Sequence, residues 1–306
     1  MSICTMLVGV SGSGKDFLSE KLSRSGARIF SSDKIREEFY GDESIQKDHS
    51  KIFNELHKRI IKSLQNGEDC IYNATNLSSK RRAAFIRMIR NSNIACTFKC
   101  IIVATPPSIC IERDRRRERT VGADVIWRQI RQFEIPSYSE GWDKIDIMFN
   151  GFSPLDLMDL DAIKRVFRET PFNEHNNPHH SLSIYEHMEM ARLKATLKTN
   201  DIRCLIAAEY HDIGKYYTKT NLDRRGRETS ESHFYGHQNV GAYLFICSNY
   251  IYRLSKKDVL DIAFLIQYHM EHYIRDNKSL NSFYDRNPKE LINLLHLLED
   301  IDKNSH

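Results

Sequence analysis

The sequence lacks the features of membrane-spanning and disulfide-stabilised proteins. It contains no uninterrupted apolar run of about 18 residues, the length that favours a membrane-spanning helix. Met1–Val10 lacks the basic-then-apolar layout of a signal peptide. The seven cysteines are odd in number and show no CxxC spacing, which argues against a disulfide framework and a thiolate zinc site. We therefore expect a soluble, cytoplasmic protein with reduced cysteines and no membrane association.

A strong excess of charge is also missing. The formal net charge of +4 is too small to establish a polyanionic partner. The 306 residues, 41% of them apolar, suffice for two hydrophobic cores, so we expect two domains. Of the 13 histidines, only His49 and His57 precede residue 175. This uneven distribution indicates that the two halves carry different chemistry.

Short apolar runs alternate with amphipathic segments in the first half of the chain. This alternation predicts an α/β domain in which helices flank a parallel sheet. The predicted strands are Ile3–Val8, Arg28–Phe30, Cys70–Asn73, Lys99–Val103 and Ile145–Phe149. One predicted helix begins at Lys15 and another runs through Arg119; the others cover Ser50–Leu64, Ser79–Arg90 and Val125–Phe133.

The pattern changes after Asn150. Three prolines, Pro154, Pro171 and Pro178, interrupt a polar junction, and helical patterns then continue from Ser183 to Asp302. These patterns predict an all-α second half. The expected domains are residues 1–152 and 153–306.

A glycine-rich segment follows the first predicted strand and opens a helix, which is the context of a phosphate-binding P-loop. Backbone N–H groups and the helix N-terminus would face the nucleotide phosphates, and Lys15 would neutralise β- and γ-phosphate oxygens. Asp16 stands where a Ser or Thr hydroxyl normally binds Mg²⁺, so its carboxylate either binds the metal directly or weakens nucleotide binding. The predicted nucleotide-binding residues are Gly9, Ser11, Gly12, Ser13, Gly14, Lys15 and Asp16.

Residues 1–150 resemble the P-loop polynucleotide kinases of bacteriophages and bacterial RNA-repair systems. Beyond the P-loop, the segment Ser31-Ser32-Asp33-Lys34-Ile35-Arg36 looks like the one in which that family places an Asp general base and, three residues on, an Arg that grips the acceptor's phosphate. The resemblance implies these catalytic roles for Asp33 and Arg36, with ATP or another NTP and Mg²⁺ as cofactors. Asp33 also suits the N-cap of the helix that begins at Lys34.

Two further segments carry the same resemblance. Asn73-Ala74-Thr75-Asn76 looks like the family's D-x-T-N element, with Asn73 in place of the usual Asp. It either contacts the acceptor or nucleotide or forms an ordinary turn. The run from Arg113 to Arg117 looks like the family's arginine-bearing lid, which implies that Arg113 and Arg117 clamp the donor phosphates and that Arg117 stabilises the transition state. The alternative for each arginine is a solvated helix face.

The second half contains histidines and aspartates spaced over several predicted helices. His211-Asp212 follows the apolar stretch Leu205–Tyr210, and adjacent His and Asp side chains can reach one metal only at such a helix end or bend. Helices of a bundle can bring distant ligands together in its interior. Nitrogen and oxygen ligands together suit Mn²⁺, Fe²⁺, Co²⁺, Ni²⁺ or Zn²⁺. The predicted metal-binding residues are His187, His211, Asp212, His237, His269 and Asp300.

Residues 175–306 resemble the HD phosphohydrolase superfamily, particularly the HD domains of bacterial CCA-adding enzymes. The resemblance rests on the His211-Asp212 pair, His233-Phe234-Tyr235-Gly236-His237, Val240-Gly241-Ala242 and Tyr268-His269-Met270, and His179-His180 also looks like a family segment. It implies that His187, His211, Asp212 and Asp300 are the primary ligands and that His211 and Asp212 are catalytic. His237 and His269 would complete a second metal position or bind the scissile phosphate. Lys215 either contacts substrate phosphate or caps a helix.

The two resemblances together imply an RNA end-healing enzyme. Ribonuclease-type breakage leaves a 5′-OH and a 2′,3′-cyclic phosphate, so a kinase would treat one end and a cyclic phosphodiesterase or 2′-phosphatase the other. The expected partners are ATP and the ends of RNA, including tRNA, or of single-stranded DNA; the oligomeric state stays open. One alternative is a nucleoside or nucleotide kinase fused to a nucleotide phosphohydrolase. Another is a nucleotide sensor in which Asp16 has weakened catalysis.

Overall fold

A computed structural model describes residues 1–45, 47–170 and 182–305 of the protein. The chain divides into two compact units. The first comprises Met1–Gln129 and Pro136–Gly151, and the second comprises Ile130–Ile135 and the described residues from Phe152 onwards. The segment with Pro171, Pro178 and His179-His180 lies outside the described residues.

The first unit is built around a parallel five-stranded sheet, so the predicted α/β fold is confirmed. The strands are β1 Ser2–Val8, β2 Arg28–Ser31, β3 Cys70–Asn73, β4 Cys96–Ala104 and β5 Lys144–Phe149. Their order in the sheet is β2-β3-β1-β4-β5. The helices are α1 Lys15–Ser23, α2 Ser32–Tyr40, α3 His49–Gln65, α4 Ser79–Asn91, α5 Pro107–Arg115 and α6 Ala123–Arg131, of which Ile130 and Arg131 count with the second unit.

Apolar patterning explains why these segments form a sheet covered by helices. Strand β4 contains the consecutive buried run Cys100–Ala104, as expected for a strand covered on both faces. Helix α3 buries Ile52, Leu56 and Ile60, which recur at intervals of four residues and form one stripe. The central position of β1 places the loop after Val8 among the carboxyl ends of the parallel strands, where ligands of such sheets bind.

A buried ion pair fixes the chain before β5. Arg82 on α4 donates two hydrogen bonds to the Glu140 carboxylate, each 2.7 Å long. Trp142 Nε1 donates to the same carboxylate at 3.0 Å. Because these polar groups satisfy one another within the core, the Glu140–Trp142 segment has a structural use.

The second unit is mainly a bundle of helices. The helices are α7 Leu160–Glu169, α8 Ile184–Lys198, α9 Ile202–Tyr210, α10 His237–Ile246, α11 Tyr250–Arg253, α12 Lys256–Tyr268, α13 Glu271–Ile274, α14 Asn277–Arg286 and α15 Lys289–Lys303. Helix α10 packs against α12, while α8, α12 and α15 all pack against α9. Helix α12 is mostly buried, with Val259, Ile262, Ala263 and Ile266 on one stripe.

The prediction of an all-α second half is wrong in one place. Strands β6 (Thr220–Leu222) and β7 (Glu228–His233) form an antiparallel hairpin. Its strands are short and polar, so they show none of the apolar alternation by which a half-buried strand is recognised. The turn between them is stabilised by Asp223, whose Oδ1 accepts hydrogen bonds from two backbone N–H groups, and by Gly226 with φ of 78°.

None of the helices in the described ranges combines the length and the apolar character needed to cross a membrane.

Candidate active sites

The loop between β1 and α1 has the backbone of a phosphate-binding loop. Gly12 and Gly14 have φ of 76° and 89°, which favour glycine. A Cβ at Gly12 would collide with the carbonyl of Cys110, and one at Gly14 would collide with Asn150. Both positions therefore require glycine for conformation and for space.

Lys15 is buried beneath this loop. Its Nζ donates to the carbonyl oxygen of Val10 at 2.8 Å. Burial lowers the pKa of Lys15, and the negative charges of Asp16 and Asp33 act against that shift. The loop therefore holds a buried lysine where it can neutralise phosphate oxygens during phosphoryl transfer.

Three side chains that the sequence did not indicate hold the loop in shape. Thr105 Oγ1 and Asn150 Nδ2 both donate to the carbonyl of Ser13, at 2.9 and 2.6 Å. Gln129 Oε1 accepts from the backbone N–H of Ser11 at 2.7 Å. Because these residues lie more than 90 positions from their partners, no local sequence signal could have identified them.

Asp33 lies in the first turn of α2, at the carboxyl end of β2. The N-cap of this helix is Ser31, whose Oγ accepts from the Asp33 N–H at 3.3 Å, so the N-cap alternative for Asp33 is wrong. Arg36 donates to Asp33 Oδ1 at 2.5 Å. The Arg36 side chain is 6% exposed, whereas that of Asp33 is 59% exposed. Arg36 therefore orients a carboxylate that solvent and an acceptor can reach.

The arginine run separates into residues that contact the P-loop and residues that do not. Arg113 lies 3.4 Å from the Ser13 carbonyl, and Arg117 lies 3.4 Å from Asp16 Oδ2. Arg116 pairs with Glu112 instead. The structure therefore brings the two arginines singled out from the sequence to the P-loop.

The second unit brings six ionisable side chains together. His187 lies on α8, His211 and Asp212 follow the last residue of α9, His237 begins α10, His269 follows α12, and Asp302 lies on α15. All six are buried. Each helix thus contributes one part of a common centre.

The six side chains form two adjacent groups of three that could each hold a metal ion: His187, His211 and Asp302, and Asp212, His237 and His269. In the first, the Nε2 atoms of His187 and His211 are 3.1 Å apart, and Asp302 Oδ1 lies 2.8 and 3.2 Å from them. In the second, Asp212 Oδ1 lies 3.3 Å from His237 Nε2 and 3.8 Å from His269 Nε2. Asp212 Oδ2 lies 3.5 Å from His211 Nε2, so this carboxylate lies between the groups.

Backbone carbonyls orient the four imidazole rings. Each Nδ1 lies within 3.1 Å of one carbonyl oxygen, which can only accept a hydrogen bond. Each Nδ1 therefore carries a proton, and each Nε2 points into the centre, where it can bind a metal once deprotonated. Four imidazole Nε2 atoms and two carboxylates that converge in this way form a donor set that fits divalent metal ions.

The carboxylates of the centre are ionised. Burial alone would raise the pKa of Asp212, but Lys215 and the neighbouring histidines hold it well below its ordinary value. Lys215 Nζ lies 2.7 Å from Asp212 Oδ2. Likewise, His211 and His187 outweigh burial and keep the pKa of Asp302 low. Both aspartates are thus negative at neutral pH, as metal ligands must be.

The prediction of Asp300 as a ligand requires correction. Asp300 pairs with Lys198, and its side chain is 54% exposed. Two residues further along α15 the helix has turned by about 200°, so Asp302 faces inward and occupies the expected place. Asp302 also continues the buried stripe of Leu291, Leu295 and Leu298, a helical spacing that could have identified it.

A cleft of about 1240 Å³ opens onto this centre, with His187, Asp212, His237 and Asp302 in its lining. The rest of its wall comes largely from the β6–β7 hairpin, the segment after it and α13. Its rim includes exposed apolar and aromatic side chains beside cationic ones. These are Leu222, Arg224, Tyr273, Ile274 and Lys303.

Comparison with known families gives one match in each half of the chain. Residues 5–136 match the model of an AAA domain, AAA_33, and residues 179–305 match the model of the HD domain. The chain joins a P-loop kinase-like domain to an HD domain. The predicted combination is confirmed, and it implies a nucleotide with Mg²⁺ for the kinase-like domain and a divalent metal for the HD domain.

Individual relatives cover parts of this kinase-like–HD chain. The CC-adding tRNA nucleotidyltransferase of Thermus thermophilus is 30% identical over 119 residues, which are 39% of this chain. The matched part is 25% of that relative, so the chain spans only about a quarter of its length.

Solved structures resemble parts of the chain at low identity. A putative kinase from Chloroflexus aurantiacus has a TM-score of 0.41 at 14% identity, covering 55% of this chain and 97% of the other. A fungal RNA kinase has a TM-score of 0.40 at 12% identity, covering 55% and 43%. The kinase-like assignment itself stands on the domain match and the geometry of the P-loop.

Proposed function

We propose that the protein heals RNA ends, by ATP-dependent phosphorylation of 5′-OH ends and by metal-dependent 2′,3′-cyclic phosphodiesterase or 2′-phosphatase activity. The observation that carries the proposal is the presence in one chain of two phosphate sites with different chemistry. One is a P-loop with a buried lysine and an exposed carboxylate at the carboxyl end of strand β2, and the other is a buried His/Asp centre at the end of a cleft. The 5′-OH end and the cyclic-phosphate end of a broken RNA require two different reactions, so healing both ends needs both sites.

In the kinase-like domain, Asp33 is the proposed general base. Its exposed carboxylate can accept the proton of an attacking 5′-hydroxyl, while Arg36 donates to Oδ1 of the same group and holds it in place. Lys15, Arg113 and Arg117 surround the P-loop and offset the charge that spreads over the transferred phosphoryl group. Bound Mg²⁺ would neutralise the phosphate oxygens further.

In the HD domain, His187, His211, Asp212, His237, His269 and Asp302 are the proposed holders of one or two divalent metal ions. The nitrogen–oxygen set suits Mn²⁺, Fe²⁺, Co²⁺, Ni²⁺ or Zn²⁺. Bound metal would supply Lewis acidity to water and to a phosphoryl oxygen. Lys215 keeps Asp212 ionised and aligned, and because it also lines the cleft, it adds positive charge near an incoming phosphate.

The cleft favours a nucleotide chain over a small phosphate ester. Its volume of about 1240 Å³ exceeds that of a pocket for one small ligand, which is about 300–1000 Å³. Tyr273 and Ile274 expose apolar surface on which a base can stack, and Arg224 and Lys303 provide charges for backbone phosphates. The relative that acts on tRNA supports RNA ends, tRNA among them, as substrates; single-stranded DNA is the second candidate.

Acceptor competition tests the proposal against a nucleotide kinase. The protein would be incubated with γ-labelled ATP, Mg²⁺ and an equimolar mixture of a 5′-OH RNA oligonucleotide and free nucleosides. We expect label on the oligonucleotide, because Asp33 is exposed enough to admit a chain end. Label on nucleosides alone would contradict the proposal and indicate a nucleoside kinase, and nucleotide binding without transfer would indicate a sensor.

A further inference from the structure

Two departures from the usual P-loop pattern contact each other. In P-loop enzymes Mg²⁺ is held by a Ser or Thr of the loop and by an Asp at the end of a neighbouring strand. This chain has Asp16 at the first position and Asn73 at the end of β3. Asn73 Nδ2 donates to Asp16 Oδ1 at 2.8 Å. The two unusual residues are therefore direct neighbours.

Electrostatics explains why the substitutions occur together. Two carboxylates at hydrogen-bond distance repel, and one of them would have to bind a proton. Asn73 avoids this repulsion because its amide donates to Asp16 and, at 3.3 Å, to Ser19 Oγ. The pair keeps the single negative charge of the usual arrangement, but the charge lies on α1 and not at the end of β3.

The carboxylate in its new place is accessible and charge-balanced. Asp16 is exposed at the first turn of α1, whereas Asn73 is buried. Arg117 lies 3.4 Å from Asp16 Oδ2, and Lys15 is the preceding residue, so two cations offset the carboxylate where an anionic nucleotide would bind. Mg²⁺ at nucleotide sites is commonly bound by one or two carboxylates together with substrate phosphates.

We propose that Asp16 and Asn73 form an exchanged metal-binding pair, in which Asp16 is the carboxylate ligand of the nucleotide-bound Mg²⁺ and Asn73 is the neutral residue that holds it in position. Asp16 then supports nucleotide binding when the metal is present and does not weaken it. This inference depends on one part of the proposed kinase function, namely that Mg²⁺-nucleotide binds at the P-loop.

A rescue experiment on the full-length protein tests the exchange. The probe is methylanthraniloyl-ADP, and its Kd is measured by fluorescence in Mg²⁺ and in EDTA. The Kd in EDTA divided by the Kd in Mg²⁺ reports how much the metal contributes to binding. We expect Asp16→Ser to reduce this ratio by about tenfold or more, the scale expected for a residue that supports a bound metal. Adding Asn73→Asp to Asp16→Ser should restore the ratio to within about threefold of wild type, because the carboxylate returns to the strand.

Matched variants keep the outcomes distinguishable. Glu20→Ser removes another exposed carboxylate of α1, one helical turn away, and should leave the ratio unchanged. Asp16→Asn, which preserves shape, replaces Asp16→Ser if the latter fails to bind the probe in EDTA. An unchanged ratio in the Asp16 variant, or no rescue in a double variant that still binds the probe in EDTA, would overturn the exchange. No probe binding by the wild type would instead count against the kinase function itself.

Discussion

Asp302 Oδ1 lies 2.8 Å from His187 Nε2, which joins the last helix of the chain to the first helix of the metal centre. Replacing Asp302 by Asn should weaken binding of Mn²⁺ or Ni²⁺ by about tenfold or more, because one anionic ligand is lost from a buried site. Calorimetric titration of the metal-free protein measures the change. Asp300→Asn is the matched control on the same helix and should bind like wild type; equal losses in both variants would contradict the assignment.

Tyr273 should contribute to nucleotide binding in the HD cleft. Removing the ring by Tyr273→Ala should weaken binding of 2-aminopurine riboside 2′-monophosphate by about 5- to 150-fold, since base stacking is worth about 1–3 kcal/mol. Fluorescence quenching measures binding while saturating ADP occupies the kinase-like domain. Tyr273→Phe should retain affinity, and Tyr252→Ala, at another exposed tyrosine, should have no effect. Full affinity in Tyr273→Ala would remove this residue from the substrate path.

His57 should make the first unit less stable in acid. Burial among Phe53, Tyr72 and Phe85 lowers the pKa of His57 to about 4. Between pH 6.5 and 4 the unfolded chain binds a proton at this residue and the folded protein does not, so the free energy of unfolding falls as pH falls, by up to about 3 kcal/mol.

Urea unfolding followed by tryptophan fluorescence measures this effect, because Trp127 and Trp142 both lie in the first unit. The loss between pH 7 and pH 4.5 should be smaller in His57→Gln than in wild type. Equal losses in the two proteins would show that His57 is not the group responsible.

The local parts of the fold and the sites could be predicted from the sequence. The P-loop is one contiguous segment after an apolar strand, and His211-Asp212 follows an apolar helix, so each motif carries its own structural context. The strand Cys70–Asn73 has the same bounds in the sequence prediction and in the structure. Strong periodicity over a short range determines such elements.

The remaining features depend on contacts between distant segments. Gln129 and Asn150 meet the P-loop from more than 110 residues away, and nothing beside them in the chain indicates this. The choice between Asp300 and Asp302 depends on which face of α15 is buried, which the periodicity of its buried leucines indicates and the position of a single aspartate does not. The β6–β7 hairpin forms part of the cleft wall although the sequences of its strands show no apolar alternation. Such features follow from tertiary packing and become visible only in three dimensions.

The most direct test of end healing follows both ends of one substrate. An RNA oligonucleotide with a 5′-OH and a 2′,3′-cyclic phosphate would be incubated with γ-labelled ATP, Mg²⁺ and Mn²⁺, using wild type, Lys15→Ala and Asp212→Ala. We predict that 5′ labelling is lost only in Lys15→Ala and that opening of the cyclic phosphate is lost only in Asp212→Ala. No change at either end with the wild-type protein would contradict the account.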